Sequence, residues 1–268
     1  MIKLIAADLD GTLLHTDKSL PADFAETAEA LASRGVIFVA ASGRQYDNIY
    51  ATLAPYSAGM YIISENGAIN GFGEEIREEK RMTPESVRAV LDAADATGGR
   101  ARAVCCCAHM GLYSAADEKF VRETCKYYLR RKRVSPEKLR RAPACKIALY
   151  CDGRAEEVYR DLPTFPGTEN VISGVDWVDV APVGVNKGVA LESVLRAEGI
   201  HPDECAAFGD NFNDREMLDL CAVRYTVDGA PAGMRALFPS AGSNDRDAVT
   251  ATIRRLIGLD QAAGSRRN

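Results

Sequence analysis

The sequence predicts an α/β fold, a doubly wound parallel sheet into which a second, smaller α/β domain is inserted. Apolar strand patterns alternate with helical patterns up to residue 67, the alternation gives way to a mixed pattern from about residue 83, and it resumes near residue 185. Apolar strands separated by helices are typical of a parallel sheet covered by helices. We therefore expect a core domain of residues 1–82 and 182–268, with an inserted domain of residues 83–181.

The first part of the chain carries three predicted strands that each end in polar residues. We expect these strands at 2–7, 36–41 and 61–63, with one helix marked by Phe24, Ala28 and Leu31 and a second at 45–53. In parallel sheets ligands bind at the carboxyl ends of the strands. The polar residues at these ends are therefore candidates for a functional site.

The insert and the last part of the chain complete the predicted elements. In the insert we expect helices at 84–96, 117–133 and 155–162, and strands at 101–108, 146–151 and 178–180. In the last part we expect helices at 187–198, 214–220 and 245–257, and strands at 205–208 and 223–227. Residues 261–268 are expected to be a frayed tail.

Composition excludes several classes of protein. Of the 268 residues 47% are hydrophobic and 26% are charged, which is ordinary for a globular protein. The formal charge of −5 argues against a nucleic-acid partner. Apolar runs are too short to span a membrane, and Asp8 interrupts the apolar start before a signal peptide could form. We expect a cytoplasmic protein, either a monomer or a weak homodimer.

Eight cysteines are too few for a disulfide scaffold in a chain of this length. Three of them are consecutive, and on a strand Cys105 and Cys107 would share a face with His109, a trio that could bind a soft metal. Zinc sites, however, usually combine two closely spaced pairs of ligands, and the sequence has no second pair. We favour buried, reduced thiols and a reducing compartment.

Three polar segments follow or begin elements at the same predicted sheet edge. They are DLDGT at 8–12, GDNFND at 209–214 and NKG at 186–188. Carboxylates could hold a hard divalent cation, and a lysine at a helix start would attract phosphate. Taken singly, each segment could also be a capped turn, a helix cap or a surface lysine. The spacings do not match a calcium-binding loop, a Walker A loop or a dinucleotide-binding fingerprint.

Over nearly its whole length the sequence resembles the haloacid dehalogenase-like superfamily, and within it the Cof-type phosphatases. DLDGTLL at 8–14 matches the first family motif in full, and SGR at 42–44 is similar to the second, where TGR is commoner. ENGA at 65–68, NKG and GDNFND match further stretches in the same order. Two segments depart from the family pattern, TVDGA at 226–230 and the Asp-Ala pair at 247–248. The insert then resembles the α/β cap of this branch.

This resemblance implies hydrolysis of a phosphate monoester of a small metabolite through an aspartyl-phosphate. Asp8 would be the nucleophile and Asp10 the general acid and base. Mg²⁺ would be held by Asp8, the Asp10 backbone carbonyl and Asp210. The remaining matching positions would bind phosphate (Ser42, Gly43, Lys187, Asn213) or contact the substrate and support the site (Arg44, Asn66, Gly67, Asp214).

Two other functions are open at this point. Phosphomannomutases share the DxDGT start and a similar cap, although SGR and ENGA favour the hydrolase. A non-catalytic binding module on the same fold is the second alternative, because fold alone does not imply function.

The insert also carries a basic segment, residues 122–141, with nine Lys or Arg and two Glu. We expect it to belong to a solvated helix whose arginines lie near its C-terminal end and whose buried stripe is Val121, Cys125, Tyr128 and Leu129. The alternative is an electropositive surface that attracts phosphorylated metabolites.

Overall fold

The structure, a computed structural model, describes residues 1–259, so the predicted tail at 261–268 lies outside the described residues. The first segment of the chain forms five strands and two helices. In chain order they are β1 (Leu4–Asp8), α1 (Phe24–Ser33), β2 (Ile37–Ala41), α2 (Tyr46–Thr52), β3 (Tyr61–Ser64), β4 (Ile69–Phe72) and β5 (Glu75–Glu79).

The middle and last segments contribute the remaining helices and strands. The middle segment forms α3 (Pro84–Ala96), β6 (Arg102–Cys107), β7 (Met110–Tyr113), α4 (Glu118–Tyr127), β8 (Arg131–Arg133), α5 (Pro136–Leu139), β9 (Lys146–Tyr150), α6 (Ala155–Asp161), β10 (Thr168–Ile172) and β11 (Trp177–Pro182). The last segment forms α7 (Lys187–Glu198), β12 (Cys205–Phe208), α8 (Arg215–Leu220), β13 (Val223–Tyr225), α9 (Ala232–Leu237) and α10 (Ala248–Leu256).

The first sheet has seven strands in the order β13-β12-β1-β2-β3-β4-β5. Its strands from β13 to β3 are parallel, whereas β4 and β5 are antiparallel additions at one edge. All residues of β1, β3 and β12 are buried, because a strand in the middle of a covered parallel sheet meets side chains on both faces. In register, Asp8 at the end of β1 lies opposite Ala41 at the end of β2. The predicted α/β class with a parallel sheet is confirmed.

The second sheet has six strands in the order β10-β11-β9-β6-β7-β8 and is antiparallel except for the β7–β8 pair. Its two faces differ because side chains alternate along each strand. One face, with Cys105, Cys107 and Ile147, is buried in a hydrophobic cluster that also contains residues of α3 and α6. The opposite face, with Cys106 and Ala148, joins the hydrophobic cluster of the first sheet. The insert therefore packs against the core through its sheet.

The chain crosses between the two sheets twice. It leaves the first sheet after β5, which ends at Glu79, and returns to it at α7, which starts at Lys187. We propose residues 83–181 as an inserted cap and the flanking segments 1–82 and 182–268 as the core, although the last residue of β11, Pro182, still pairs in the cap sheet. Among residues 1–259, no helix combines the length and apolar character needed to cross a membrane.

The helix predicted at 117–133 is wrong in its second half. The α4 helix ends at Tyr127, and Arg131–Arg133 form the edge strand β8, parallel to β7. The buried positions of this segment are Phe120, Thr124 and Tyr128, so the predicted stripe holds only at Tyr128, while Cys125 and Leu129 are exposed. The chain leaves the helix where buried Tyr128 contacts the cap sheet, its hydroxyl 3.0 Å from Cys106 Sγ, and the basic residues that follow expose their side chains from an edge strand.

Several elements carry no strong sequence signal and were not predicted. The strands β4 and β5 contain INGF and EIREE, which lack the apolar run used to identify β1 to β3. Short elements of the cap (β7, β8, α5, β10) and the α9 helix were also missed, because each is only three to six residues long. Helix α10 begins at Ala248 rather than at 245, because residues 244–246 form a separate 3₁₀ turn.

Candidate active site

Asp8 ends β1 and begins a tight loop that turns back toward the sheet. The loop is closed by backbone hydrogen bonds from Leu13 N to Asp8 O (3.2 Å) and from Leu14 N to Leu9 O (2.8 Å). Gly11 has a φ of +81°, and a Cβ at this position would lie 2.8 Å from Asp210 Oδ2. Only glycine allows both this conformation and this close approach. The loop after β1 is thereby brought against the loop after β12.

The loop after β12 is organised by Asp214, which is fully buried. Its Oδ2 accepts hydrogen bonds from the backbone N–H groups of Asp210 and Asn211, both at 3.0 Å. These bonds satisfy backbone donors that would otherwise be left unpaired, and they fix the position of Asp210. Asp210 in turn accepts a hydrogen bond from Thr12 Oγ1 at 3.3 Å.

Lys187, the first residue of α7, connects the loop after β1 with the loop after β12 through its side chain. Its Nζ donates to Asp8 Oδ1 at 2.6 Å and to Asp214 Oδ1 at 2.5 Å. The lysine is 0% exposed and is not among the residues that line the cleft. A buried ammonium that bridges two carboxylates gives a defined geometry at a cost in desolvation. Lys187 therefore orients Asp8 and neutralises part of the charge at this sheet edge.

Three carboxylates converge above this lysine. One oxygen from each of Asp8, Asp210 and Asp214 lies within 4.8 Å of the other two. Burial raises the pKa of Asp8 well above its ordinary value, and Asp214 and Asp210 add to this effect against the opposing charge of Lys187. Burial and the charge of Asp214 raise the pKa of Asp210 to about 6. Burial and the mutual repulsion of these carboxylates therefore both disfavour the ionised forms of Asp8 and Asp210.

Asp10 points to different partners from Asp8. Arg44 donates two hydrogen bonds of 2.6 Å to it, from Nε to Oδ2 and from Nη2 to Oδ1. Lys18 Nζ lies 2.8 Å from Asp10 Oδ1. Although burial acts in the opposite direction, the hydrogen bonds and charges of Arg44 and Lys18 lower the pKa of Asp10. Two parallel bonds from a guanidinium fix both the position and the charge of a carboxylate.

The loops after β2 and β3 form the remaining floor of the site. Ser42 N donates to Ile63 O at 2.8 Å and Asn66 N donates to Ser42 O at 3.1 Å, so that the two loops are held together. Asn66 Oδ1 accepts a hydrogen bond from Asn213 Nδ2 at 3.1 Å, which connects them to the loop after β12. Residues 42–44 are called the phosphate loop below, after the role that the sequence predicts for Ser42 and Gly43.

These groups surround a cleft of about 290 Å³ between the core and the cap. Of the residues that the sequence predicts for the site, eight line it: Asp8, Asp10, Ser42, Gly43, Arg44, Asn66, Asp210 and Asn213. Lys187 and Asp214 lie behind Asp8, and Gly67 contacts the start of α7, where a Cβ would overlap the Asn186 carbonyl. The predicted residues thus meet at one place, with three of them behind the cleft surface.

The opposite side of the cleft was not predicted from the sequence. Seven cap residues form it and are called the cap wall: Tyr127, Tyr128, Lys146, Ala148, Ser173, Trp177 and Asp179. Lys18 from the core also lines the cleft and was missed. Aromatic and apolar residues of the insert gave no signal of their own, because a buried aromatic residue is more often part of a core than of a site.

The basic side chains of segment 122–141 and the trio Cys105, Cys107 and His109 do not line the cleft. Of the basic segment 122–141, only Tyr127 and Tyr128 line the cleft, and Arg130 Nε pairs instead with Asp47 Oδ1 at 3.0 Å. Cys105 and Cys107 are buried, and burial raises the pKa of Cys107 to about 12. His109 lies on the turn after β6, where its Nδ1 is 3.1 Å from Asp47 Oδ2.

Comparison with known proteins connects this geometry to a family. Residues 5–253 match the model of the haloacid dehalogenase-like hydrolases. A protein named HMP-PP phosphatase from Klebsiella pneumoniae (strain 342) is 29% identical over 260 residues, covering 89% of each chain. A protein of the same name from Cronobacter sakazakii (strain ATCC BAA-894) is 27% identical over 246 residues, again covering 89% of each chain.

Solved structures agree on the fold. SMU.1108c from Streptococcus mutans UA159 superimposes with a TM-score of 0.87 at 23% identity, covering 96% of this chain and 100% of that one. The HAD subclass IIB sugar phosphatase BT4131 gives a TM-score of 0.81 at 22% identity, covering 96% of this chain and 99% of that one. The chain therefore belongs to the haloacid dehalogenase-like hydrolases, within their Cof-type branch, and is a phosphatase.

Proposed function

We propose that the protein is a magnesium-dependent phosphatase that hydrolyses a phosphate monoester of a small metabolite through an aspartyl-phosphate on Asp8. The observation that carries the proposal is the position of Asp8. It lines a cleft between core and cap together with Asp10 and Asp210, and one of its carboxylate oxygens is bound by buried Lys187. A carboxylate held in place beside a second, separately bound carboxylate suits two-step phosphoryl transfer.

The donor set fits a divalent cation. Both oxygens of Asp214 are engaged, one by Lys187 and the other by two backbone N–H groups, whereas Asp8 and Asp210 face the cleft. We therefore assign the cation to Asp8 and Asp210, with the Asp10 backbone carbonyl as the third ligand that the family resemblance implies. Mg²⁺ bound there would reduce the repulsion between these carboxylates and a phosphate, and would favour the ionised form of Asp8.

The reaction would proceed in two displacements. In the first, an Asp8 oxygen attacks phosphorus, the bond to the ester oxygen breaks, and the leaving alcohol takes a proton from Asp10. In the second, Asp10 removes a proton from water, the resulting hydroxide attacks phosphorus, and inorganic phosphate leaves Asp8. Ser42, Gly43 and Asn213 line the cleft where the phosphoryl oxygens would lie. Hydrogen bonds at these positions would stabilise the charge that spreads over those oxygens.

The partners of Asp10 bear on these steps. As a carboxylate bound to Arg44 and Lys18, Asp10 is suited to take the proton from water in the second step. To donate a proton in the first step it must give up at least one hydrogen bond to Arg44. Substrate binding is the event that could exchange this bond, because the phosphate oxygens would compete for the guanidinium.

The names of similar proteins suggest which compounds to test first as substrates. HMP-PP, a diphosphate and so outside the monoester class, is tested first, because proteins named HMP-PP phosphatase align over 89% of this chain. Its leaving group would be a phosphate in place of an alcohol. Sugar phosphates follow, because a sugar phosphatase shares the fold. Nucleotides, pyridoxal phosphate and flavin mononucleotide complete the panel of small phosphorylated metabolites.

The experiment is phosphate release from this panel with Mg²⁺, with the Asp8→Asn variant as the blank. We expect release from at least one compound, complete loss on chelation, recovery with Mg²⁺ and poor replacement by Ca²⁺, which prefers looser and higher coordination. Full activity in a metal-free preparation would refute the metal assignment. Transfer of phosphate between substrate positions with no free phosphate would indicate a phosphomutase instead.

A further inference from the structure

A buried cluster of three charged side chains joins the cap to the core beside the cleft. Lys146 Nζ lies 2.8 Å from Glu65 Oε2 and 3.1 Å from Asp179 Oδ2. The exposed fractions of Lys146, Glu65 and Asp179 are 3%, 1% and 7%. None of the three takes part in the steps described above.

The cluster bridges two different sheets. Lys146 begins β9 and Asp179 lies on β11, neighbouring strands of the cap, whereas Glu65 follows β3 of the core. The pair between Lys146 and Glu65 therefore crosses from cap to core, while the pair with Asp179 stays within the cap. Lys146 Nζ also lies 3.4 Å from the carbonyl oxygen of Gly43, in the phosphate loop.

Glu65 is held in a strained segment that is tied to the phosphate loop. It has a φ of +50° and is followed by Asn66 at +57°, so two successive residues other than glycine adopt the left-handed conformation. Such conformations are uncommon for residues other than glycine and persist where the surroundings fix them. Backbone hydrogen bonds from Glu65 N to Arg44 O and from Asn66 N to Ser42 O, both 3.1 Å, do so here.

Buried Gln45 also joins core to cap, since its side-chain amide donates to Arg130 O at 2.7 Å and accepts from Arg130 N at 2.9 Å, whereas the other ion pairs between cap and core lie nearer the surface. Among residues 1–259, the ion pairs of this kind other than Lys146–Glu65 are those of Asp47 with Arg130 and with His109, whose side chains are 61% and 46% exposed. Exposed ion pairs contribute little to stability, because water and salt screen them. Breaking a buried pair leaves an uncompensated charge and has a much larger effect. The Lys146–Glu65 pair is therefore the charged contact with the strongest hold on the position of the cap.

We propose that Lys146 is a positioning residue that fixes the cap over the phosphate loop by binding Glu65. The spacing between the cap wall and the phosphate loop then depends on this pair. A substrate whose leaving group touches the cap wall depends on Lys146, whereas a minimal phosphate compound that occupies only the core side does not. The kinetic part of the test rests on the proposed function, and the fluorescence part does not.

The fluorescence test uses Trp177, the single tryptophan of the chain, which lines the cleft from the cap side. Its exposed fraction of 9% should make quenching by acrylamide weak in the wild type. In Lys146→Met we expect the quenching constant to rise about twofold or more, since loss of the buried pair frees the cap to move. Lys146→Arg should recover part of the protection. Glu65→Gln should also raise quenching, and it serves as the test if Lys146→Met does not fold.

Asp179→Asn is the matched control for this measurement. It disturbs the same lysine within the cap but leaves the contact with Glu65, so we expect quenching close to that of the wild type. An unchanged quenching constant in folded Glu65→Gln and Lys146→Met would overturn the proposal. So would an equal rise in all three variants, because the effect would then not depend on the contact between cap and core.

The kinetic test compares two substrates, the best metabolite of the panel and acetyl phosphate. For Glu65→Gln, which breaks the pair without changing a side chain that lines the cleft, we expect kcat/KM to fall about tenfold for the metabolite, chiefly through KM, and to change less than about twofold for acetyl phosphate. An equal loss for both substrates would indicate general damage to the fold and would overturn the proposal. If no phosphate compound is hydrolysed at all, the proposed function fails while the quenching result still decides the role of Lys146.

Discussion

Asp8 and Asp10 are two residues apart, yet the fold gives them opposite electrostatic surroundings. Asp8 is buried beside Asp214 and Asp210, which raises its pKa, and one of its oxygens is bound by Lys187. The pKa of Asp10 is lowered, because the bonds and charges of Arg44 and Lys18 outweigh its burial. When the surroundings of two neighbouring carboxylates differ in this way, the groups can take different roles in one reaction.

The residue scale yields a prediction for Asp10→Asn. This variant keeps the backbone carbonyl but cannot transfer a proton. An alkyl phosphate, whose leaving group is strongly basic, should therefore react very slowly. A nitrophenyl phosphate leaves as a stable anion, so Asp8 should still be phosphorylated while the following hydrolysis stalls. Stopped-flow absorbance should show a burst of nitrophenolate of at most about one per active site, followed by slow turnover.

The wild-type enzyme is the control for this burst, because we expect its hydrolysis step to keep pace with phosphorylation. A steady rate in Asp10→Asn that exceeds the wild-type rate would contradict the role given to Asp10. An equal loss in the rate of phosphorylation during the first turnover for alkyl and nitrophenyl phosphates would contradict it as well, since the loss would then be independent of the leaving group.

The sequence predicted the residues at strand ends but not their partners from other parts of the chain. Asp8, Asp10 and Asp210 stand in short motifs directly after apolar strands, and the parallel sheet brings those ends together. Lys18 and Lys146 had no such context. Their position in the cleft follows from the fold of a loop and from the packing of the cap, which local patterns do not encode.

At the scale of elements, the turn between β3 and β4 positions the start of α7. Gly67 in this turn has a φ of +103°, and a Cβ there would overlap the carbonyl of Asn186, the residue before α7. Lys187 follows directly, so the approach of turn and helix also sets the lysine that holds Asp8.

Gly67→Ala is therefore expected to destabilise the protein by about 2 kcal/mol or more, from backbone strain and steric overlap together. Urea unfolding measures the change, and phosphatase activity should fall with it as Lys187 is displaced. Gly59→Ala is the control, since a Cβ at this position meets nothing within 4 Å, and its free energy of unfolding should stay within about 0.5 kcal/mol of the wild type. Similar stabilities for the two variants would show that the close approach of turn and helix is unimportant.

The segment from α4 to β8 shows why some elements could not be predicted. Its sequence supports a long helix, because apolar residues recur at helical spacing up to Leu129. In the structure the helix ends at Tyr127. Tyr128 is buried with its hydroxyl 3.0 Å from Cys106 Sγ, and the chain after it forms a strand beside β7. Contacts with distant strands thus override a local preference.

At the scale of the whole molecule, charge is distributed unevenly. The chain has a net charge of −5, whereas residues 122–141 carry a local excess of seven positive charges. Arg131 and Arg133 lie on the exposed edge strand β8 and do not line the cleft. Their influence on a substrate must therefore be long-range, and salt screens such effects over about 8 Å at physiological ionic strength.

We accordingly expect the double substitution Arg131→Gln, Arg133→Gln to leave kcat unchanged and to lower kcat/KM by less than about twofold at 0.15 M salt. The difference from the wild type should grow as the salt concentration is lowered. Steady-state kinetics across a range of salt concentrations provides the measurement. A loss that persists at high salt would mean that these arginines contact the substrate directly.

The change from strand–helix alternation to a mixed pattern predicted an inserted α/β segment, although only three of the six strands of its sheet (β6, β9 and β11) were identified from the sequence. The relation between the sheets did not follow from the sequence, since it depends on which face of the cap sheet packs against the core. Val104 and Cys106 face the core cluster while Cys105 faces the cap helices, an alternation that an unbroken apolar run conceals.

The central claim is that Asp8 forms the covalent phosphoryl intermediate. It is tested most directly by incubating Asp10→Asn with a nitrophenyl phosphate and Mg²⁺, quenching in acid and reducing with borohydride, which converts an aspartyl-phosphate into homoserine. Peptide mass spectrometry should find homoserine at position 8 and aspartate at positions 210 and 214, and an Asp8→Asn, Asp10→Asn double variant should give none. Homoserine at another position, or stable phosphate on Ser42, would contradict the claim.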